Sequence, residues 1–225
     1  MKIKVLKFGG TSVGSIEAIK RSADIIHDWS KKSKVIAVLS AMSGETDRLI
    51  NLTKSFSKNP NPIDFDNAIS SGENVSCALM SICLNNQKIK AKSLLSWQIP
   101  IITSSEHMKS RILSINKKFL YDELENFDVL VIPGFQGINN KGELTTLGRG
   151  GSDTSAVAVA AAMESECIIY TDVEGVFTTD PNIVPKAKKI NKISYEEMLE
   201  LASQGAKVLP VSYTHLRAHE TSFYL

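Results

Sequence analysis

The sequence predicts an α/β fold, a sandwich of helices around a mostly parallel sheet, and three observations support this prediction. Short runs rich in β-branched residues alternate along the chain with longer segments of helical periodicity. The strand candidates are continuously apolar, which is typical of strands covered by helices on both faces. The glycine-rich segments follow strand candidates, where parallel sheets bind their ligands.

Four segments have the composition of buried strands. They are Ile3 to Phe8, Val35 to Ser40, Val129 to Pro133 and Cys167 to Thr171. Each is short and rich in valine, isoleucine or leucine, as strands in the middle of a parallel sheet are.

Four helices are predicted between and after these strands. They are Ser15 to Lys31, Gly72 to Leu84, Asp153 to Met163, and a helix that begins at Ser194 and ends at Gly205. In the first, apolar residues recur at steps of three and four, which predicts one buried face. These residues are Ile16, Ile19, Ala23 and Ile26. In the last, Glu197 completes a capping box with Ser194.

Composition indicates an ordinary globular protein and excludes several classes. Hydrophobic residues make up 43% of the 225-residue chain and charged residues 22%. The formal charge of +2 is too small to indicate nucleic acid or a membrane surface as a partner. Charges interrupt the amino-terminal stretch, and the longest apolar run, Ala156 to Met163, is far shorter than a membrane span. We therefore expect a cytoplasmic protein.

The three cysteines, Cys77, Cys83 and Cys167, are odd in number and lack C-x-x-C spacing. We interpret them as buried thiols in a reducing cytosol, in preference to metal ligands or a nucleophile.

A glycine-rich segment follows the first strand. Lys7 to Gly14 has the sequence Lys-Phe-Gly-Gly-Thr-Ser-Val-Gly. Glycines let the backbone approach a bulky anion, and free amides at a helix start bind phosphate oxygens. The alternative is a tight strand-to-helix turn with a solvated lysine. The spacing of a Walker A loop is absent.

A second glycine-rich segment begins the alanine-rich helix. Gly148 to Ser155 has the sequence Gly-Arg-Gly-Gly-Ser-Asp-Thr-Ser. Three glycines around an arginine indicate a second anion site, followed at once by the Asp153 carboxylate. The alternative is that Ser152 or Asp153 only caps the helix, but a cap does not require the preceding glycines and arginine.

Three further signals are weaker on their own. Glu73 stands at a helix start, where the alternative role is only to complement the helix dipole. Tyr170 to Pro181 is a strand end rich in turn residues, suited to a nucleoside. Lys207 follows the Ser194 helix, where a lysine is most often a surface charge.

Taken together, in this order and spacing, these segments closely resemble bacterial aspartate kinases, over Lys2 to Leu209. The matching segments are Lys7 to Gly14, Ser40 to Thr46, Ser71 to Glu73, Gly148 to Ser155, Tyr170 to Pro181 and Ser194 to Leu209. Acetylglutamate, glutamate and uridylate kinases share the superfamily fold but not this set.

The resemblance implies a three-layer αβα sandwich over residues 1–209, in which an amino-terminal lobe binds the amino acid and a carboxyl-terminal lobe binds ATP. It implies ATP-dependent phosphorylation of the side-chain carboxylate of L-aspartate, the first step of lysine, threonine and methionine biosynthesis. Mg²⁺ would accompany ATP, and we expect no other metal site, no nucleic-acid partner and no membrane. A homo-oligomer is expected of the full-length parent.

Carried over position by position, the resemblance assigns roles to three sets of residues. The catalytic residues would be Lys7, Asp153 and Lys207. The aspartate-binding residues would be Thr46, Glu73, Arg149, Gly150, Gly151 and Ser152. The ATP-binding residues would be Lys7, Phe8, Gly9, Gly10, Thr171, Asp172, Phe177, Asn182, Lys207 and Val208.

Two of these positions depart from the family. Phe177 stands where tyrosine is frequent, so a hydroxyl contact is lost while stacking is retained. Asn182 stands where arginine is frequent, so one charged nucleotide contact is in doubt.

The segment after Leu209 differs from the family, which continues with another helix and paired regulatory domains. We expect residues 210–225 to be foreign, similar to adapter-derived sequence, and the catalytic domain to be incomplete at this end, without regulatory domains or feedback inhibition. His215 and His219 are four residues apart but lack an evident third ligand for a metal. The alternatives are a sister amino acid kinase with another acceptor, or a nucleotide-binding fragment that is inactive because of truncation.

Overall fold

The computed structural model describes residues 2–148 and 150–170 of the chain. Its strands are β1 (Ile3–Phe8), β2 (Lys34–Leu39), β3 (Ala91–Ser93), β4 (Ile101–Thr103), β5 (Ile112–Ile115), β6 (Val129–Pro133), β7 (Gln136–Ile138), β8 (Leu144–Thr146) and β9 (Glu166–Tyr170). Its α-helices are α1 (Ile16–Ser30), α2 (Glu45–Phe56), α3 (Pro62–Ile69), α4 (Ser71–Asn86), α5 (Lys117–Asn126) and α6 (Gly151–Ala162). A short 3₁₀ helix, Gly10–Val13, joins β1 to α1.

The main sheet has five strands in the order β3-β6-β2-β1-β9, and every pairing in it is parallel. Phe8 at the end of β1 pairs with Leu39 on one side and Tyr170 on the other. Leu39 pairs in turn with Pro133. The carboxyl ends of four strands therefore lie along one edge, where ligands of parallel sheets bind.

Helices cover both faces of this sheet, which confirms the three-layer prediction. Alternate residues of the strands, such as Val5 and Ile36, belong to a core shared with α5 and α6. Their neighbours, such as Leu6 and Ala37, belong to a core shared with α1 and α4. Burial on both faces explains why these strands are continuously apolar.

The predicted elements match the observed ones closely in their positions. The predicted strands β1 and β6 have the observed bounds, and β2 and β9 are displaced by one residue. The helices predicted from Ser15, Gly72 and Asp153 correspond to α1, α4 and α6. Thr171 and the helix predicted from Ser194 lie outside the described residues.

The prediction that Ile16 shares the buried face of α1 is wrong. Ile16 is 66% exposed, whereas Ile19, Ala23 and Ile26 are buried against the sheet. Ile16 is the first residue of the helix, directly after the capping Ser15, whose hydroxyl accepts a hydrogen bond from Ala18 N at 3.2 Å. Ile16 therefore belongs to the exposed first turn of the helix, and the buried apolar face begins after it.

Three helices, the edge strand β3 and a second sheet lack a predicted counterpart. Helices α2, α3 and α5 and a four-stranded sheet in the order β5-β4-β7-β8 complete the described part of the chain. The strands of this sheet are three or four residues long. Within the described ranges, no helix is long and apolar enough to cross a membrane.

The cysteines agree with their interpretation as structural thiols. Cys77 and Cys167 are buried, and Cys83 is partly exposed. Burial raises the pKa of Cys77 well above its usual value and that of Cys167 to about 12. Both buried thiols are therefore protonated and poor nucleophiles at neutral pH.

Candidate active site

The carboxyl edge of the main sheet opens into a cavity of about 790 Å³. Seven residues that the sequence predicts as catalytic or aspartate-binding line it together. They are Lys7, Thr46, Glu73, Gly150, Gly151, Ser152 and Asp153. The two glycine-rich segments, more than a hundred residues apart in the chain, thus contribute to one site.

A buried ion pair lies at the centre of this site. Lys7, near the end of β1, places its Nζ 2.8 Å from Oδ1 of Asp153, in the first turn of α6. The side chains are only 9% and 12% exposed. Oδ1 of Asp153 has no hydrogen bond within the described part of the chain, so this contact is a charge pair without hydrogen-bond geometry. Lys7 and Asp153, both predicted as catalytic residues, therefore lie side by side in the cavity.

The segment after Lys7 packs against the loop that follows β2. Ser43 N donates a hydrogen bond to Gly10 O at 3.2 Å, and a Cβ on Gly10 would lie 3.0 Å from Ala41 O. Gly9 adjoins the amino group of Lys7, because a Cβ there would lie 3.5 Å from Nζ. The glycines therefore bring two loops and one cation together at the strand ends.

Phe8 differs from the other predicted nucleotide contacts, because its side chain is fully buried. Its ring stacks on that of Tyr170, with 4.8 Å between centroids and 4° between planes. Phe8 does not line the cavity, and its carbonyl oxygen accepts a 3.1 Å hydrogen bond from Ser40 N, so its role toward a nucleotide stays a prediction.

Glu73 is a buried carboxylate in the first turn of α4, 3% exposed. Its Oε1 accepts a 3.1 Å hydrogen bond from Ala41 N, and its Oε2 has no partner among residues 2–148 and 150–170. Burial raises the pKa of Glu73 to about 7, against the smaller lowering effect of the Ala41 amide. An unpaired carboxylate at a cavity wall is complementary to a cationic group such as an ammonium.

The start of α6 presents Ser152 and Asp153 to the cavity. Gly150 occupies the cap position with φ of +74°, and no side chain caps the helix. The alternative in which Ser152 or Asp153 is only a helix cap is therefore wrong. A Cβ on Gly134, the residue after β6, would lie 2.8 Å from the Cα of Ser152, so only glycine fits at position 134.

Seven predicted site residues lie outside the described part of the chain, and their roles stay predictions. They are Arg149, Thr171, Asp172, Phe177, Asn182, Lys207 and Val208. Most belong to the expected ATP lobe, so the described cavity mainly represents the predicted amino acid side.

The sequence analysis misses an apolar wall and two cations of the cavity. Ile50, Phe65, Ile69 and Phe135 line it and pack together with Leu49 in a small core. Lys54 and Lys58, near the end of α2, lie at its border. The apolar wall is consistent with the raised pKa of Glu73, because it excludes water from the carboxylate.

Comparison with known proteins identifies similar sequences over most of the chain. A model described as the amino acid kinase family matches residues 2–219, a range that runs past Leu209, where the resemblance was expected to end. The foreign origin of residues 210–225 stays a prediction.

Two curated relatives match this chain over nearly the same length and at nearly the same sequence identity. An aspartate kinase of Pseudomonas putida is 48% identical over 213 residues, which cover 94% of this chain and 52% of that protein. An aspartokinase of Geobacillus stearothermophilus is 50% identical over 211 residues, which cover 93% of this chain and 52% of that protein. The chain therefore spans about half the length of the curated relatives it matches.

Solved structures share the fold described above. E. coli aspartokinase III in complex with aspartate and ADP (R-state) superimposes with a TM-score of 0.76 at 29% identity, covering 92% of this chain and 57% of that one. The aspartate kinase of Synechocystis has a TM-score of 0.72 at 45% identity, covering 92% of this chain and 34% of that one.

Proposed function

Because this chain belongs to the amino acid kinase family, we propose that it transfers the γ-phosphoryl group of ATP to the side-chain carboxylate of L-aspartate. The observation that carries the proposal is a cavity in which the buried Lys7–Asp153 pair occurs together with the carboxylate of Glu73, whose Oε2 has no partner among the described residues. Relatives that are 48% and 50% identical are named aspartate kinase and aspartokinase, which supports aspartate as the acceptor.

In this reaction a carboxylate oxygen of aspartate attacks the γ-phosphorus of ATP. The bond from that phosphorus to the β,γ-bridging oxygen breaks, ADP leaves with the bonding electron pair, and 4-phospho-L-aspartate forms. The attacking carboxylate has a solution pKa of about 4 and is already ionised at pH 7, so the step needs no general base. This chemistry explains why the sequence motifs contain no histidine.

The obstacle to the reaction is repulsion between the acceptor and the triphosphate. Two unit charges about 4 Å apart repel by roughly 4 kcal/mol at an effective dielectric constant near 20. That energy corresponds to about a thousandfold in rate. Positioning and neutralisation of charge are therefore the main tasks of the protein.

Lys7 is suited to neutralise phosphate charge, because it is a buried cation at the edge of the cavity beside Gly9. The charge of Asp153 holds the Lys7 amino group in place, and a carboxylate at this position is a ligand of the type that Mg²⁺ prefers. Mg²⁺ bound with ATP would neutralise part of the phosphate charge. Lys207, beyond the described residues, is proposed as a second cation for the phosphates.

The amino acid is proposed to bind between α4 and the start of α6. Glu73 would pair with its α-ammonium group, and Arg149 would hold its α-carboxylate in a two-pronged fork. Thr46, Gly150, Gly151 and Ser152 would add hydrogen bonds from the cavity wall. Thr171, Asp172, Phe177, Asn182 and Val208 are proposed for the nucleotide.

We further propose that the reaction is the first step of lysine, threonine and methionine biosynthesis and takes place in the cytoplasm. The relatives are about twice as long as this chain, and a homo-oligomer is proposed for a parent protein of that length.

The test is an assay of ADP release with ATP and Mg²⁺ and a panel of acceptors. Aspartate, glutamate, acetylglutamate and uridine monophosphate are compared, on this chain and on a version extended in the pattern of its relatives. Hydroxylamine converts an acyl phosphate to a hydroxamate and so identifies a carboxylate as the acceptor. We expect aspartate-dependent ADP release together with hydroxamate formation.

Two outcomes would replace the proposal. Release of ADP with a different acceptor only would make the protein a sister amino acid kinase. Binding of ATP without turnover by either version would make it a nucleotide-binding protein.

A further inference from the structure

Asp66 is a fully buried carboxylate in α3 that sequence analysis does not single out. Its Oδ1 accepts a 2.6 Å hydrogen bond from the hydroxyl of Thr146. Its Oδ2 lies 2.8 Å from Nδ1 of His107 and accepts hydrogen bonds from the main-chain nitrogens of Met108 at 3.1 Å and Thr146 at 3.2 Å. Four donor groups therefore converge on one side chain.

These donors come from two segments that Asp66 joins to α3. One is the turn that contains His107 and Met108, and the other is the end of β8. The two segments are also linked directly, because Ser110 N donates a 2.9 Å hydrogen bond to Thr146 O. The hydrogen bonds of Asp66 therefore tie both segments to α3.

Both segments lead to the cavity wall. Met108 and Thr146 line the cavity, as does Phe65, the neighbour of Asp66 in α3. Gly148, two residues after Thr146, has φ of +79° and lies against the turn, since a Cβ there would be 3.1 Å from Met108 O. The chain then continues to Gly150, Gly151 and Ser152 at the start of α6.

We propose that Asp66 is a positioning residue for the amino acid site, which fixes the Thr146–Gly148 segment and through it the cavity-facing start of α6. The inference rests on the proposed function, because it concerns the acceptor half of that reaction. Asp66 is fully buried and acts through Thr146 and Met108, without touching the substrate.

A carboxylate suits this role because it only accepts hydrogen bonds and can accept several at once. Asparagine has nearly the same shape, but an NH₂ group replaces one of the two carboxylate oxygens. An NH₂ group donates hydrogen bonds and cannot accept them from the surrounding donors. In Asp66→Asn, the new NH₂ group either faces the three nitrogen donors, which are then left buried without an acceptor, or faces the Thr146 hydroxyl, which then has to give up its donated hydrogen bond and accept one instead.

The experiment compares steady-state kinetics of the wild-type chain and Asp66→Asn, with melting temperatures measured in parallel. We expect the KM for aspartate to rise by about 10- to 100-fold, because small misplacements in a binding site cost up to this much. We expect the KM for ATP to rise several-fold less than the KM for aspartate, since within this segment only Asp153 is proposed to act toward the phosphates, and it does so through Lys7. Asp64→Asn is the matched control, because Asp64 lies in the same helix with an exposed side chain, and it should match the wild type.

A purely structural role for Asp66 predicts a different result. In that case kcat would fall in proportion to the folded fraction, and both KM values would stay at the wild-type level, which would overturn the inference. Equal increases of both KM values would also overturn it.

Thr146→Val provides a milder test if Asp66→Asn does not fold. It removes the 2.6 Å hydrogen bond and keeps the shape, so the KM for aspartate should rise by roughly 3- to 10-fold, the range for one net hydrogen bond. If both variants fold, the double variant should show less than the product of the two single effects, because both changes disrupt the same contact. Fully multiplicative effects would show that Thr146 acts independently of Asp66 and would contradict the inference.

The failure of this inference is distinguishable from failure of the proposed function. The wild-type chain is assayed first with the acceptor panel, and absence of aspartate-dependent turnover is a result about the function alone. Aspartate binding, measured by calorimetry on the same variants, gives a second readout that does not require turnover. Unchanged aspartate affinity in Asp66→Asn would overturn the positioning role.

Discussion

Replacement of Glu73 by glutamine removes the ionisable group from the cavity wall while it keeps the shape of the side chain. In the wild type, Oε1 accepts a hydrogen bond from Ala41 N, and Oε2 has no partner in the described residues. The amide oxygen of glutamine retains the contact with Ala41. The main change is therefore loss of the ability to ionise.

The energy involved follows from the pKa of Glu73. Burial raises this pKa from 4.5 to about 7, and at 1.36 kcal/mol for each pH unit the difference corresponds to about 3 kcal/mol. The folded protein holds the proton more tightly than the unfolded chain. The contribution of Glu73 to stability is therefore fully present below pH 4.5 and is lost as the pH rises through about 7. Glutamine does not titrate and shows no such loss.

Urea unfolding of both proteins between pH 5 and pH 8, without ligands, measures this effect. We expect the difference in the free energy of unfolding between variant and wild type to change by about 2.5 kcal/mol across this range, in favour of the variant at pH 8. Any constant cost of the buried amide cancels in this comparison. Glu125→Gln, on the exposed surface of α5, is the control for the change in net charge. If the stability curves of wild type and Glu73→Gln run parallel from pH 5 to pH 8, the buried-carboxylate reasoning is refuted.

The same variant tests the binding role of Glu73. The ionised carboxylate is the form that attracts an ammonium group. The KM for aspartate of the wild type should therefore rise as the pH falls below about 7. At pH 8 the variant should have a KM for aspartate about 10-fold or more above the wild type, the range for a lost charged hydrogen bond. A wild-type KM at pH 8 would remove Glu73 from the amino acid site.

Further predictions concern the charged groups of the two glycine-rich segments. Lys7→Ala should lower kcat by about 10²–10³, the range for removal of one preorganised charge-stabilising donor; activity near wild type in a coupled ADP assay would exclude Lys7 from the mechanism. Asp153→Asn leaves the Lys7 ammonium buried without its carboxylate, so urea unfolding should show a loss of about 3 kcal/mol or more, and unchanged stability would contradict a stabilising pair. Arg149→Lys should mainly raise the KM for aspartate, because lysine cannot form the fork; an unchanged KM would count against that contact.

Four strands of the main sheet were predictable because they are buried on both faces, whereas the three-residue edge strand β3 was not predicted. In β1 and β6 this burial requires apolar residues at nearly every position, and the resulting runs have clear ends. The second sheet has strands such as β4 and β7 that are too short for any periodicity to emerge. Helix α2 buries only Leu49, so its pattern did not distinguish it from a polar loop.

The candidate site was predictable where local chemistry was unusual, as in the glycines around Lys7 and Asp153. The apolar wall was not, because a residue such as Ile50 or Phe65 has the same helical pattern whether it faces a core or a cavity. Asp66 illustrates the same limit. It is fully buried, whereas Asp64 in the same helix is exposed, and nothing local in the sequence separates the two.

The close approach of Gly134 to Ser152 couples the start of α6 mechanically to the sheet. No side-chain atom fits between the two backbones, and Ser155 Oγ accepts a 3.0 Å hydrogen bond from Phe135 N just beyond this contact. Ser152 and Asp153, at the start of α6, are therefore held at a fixed distance from the end of β6, and a side chain larger than hydrogen at position 134 would push both away from the strand ends.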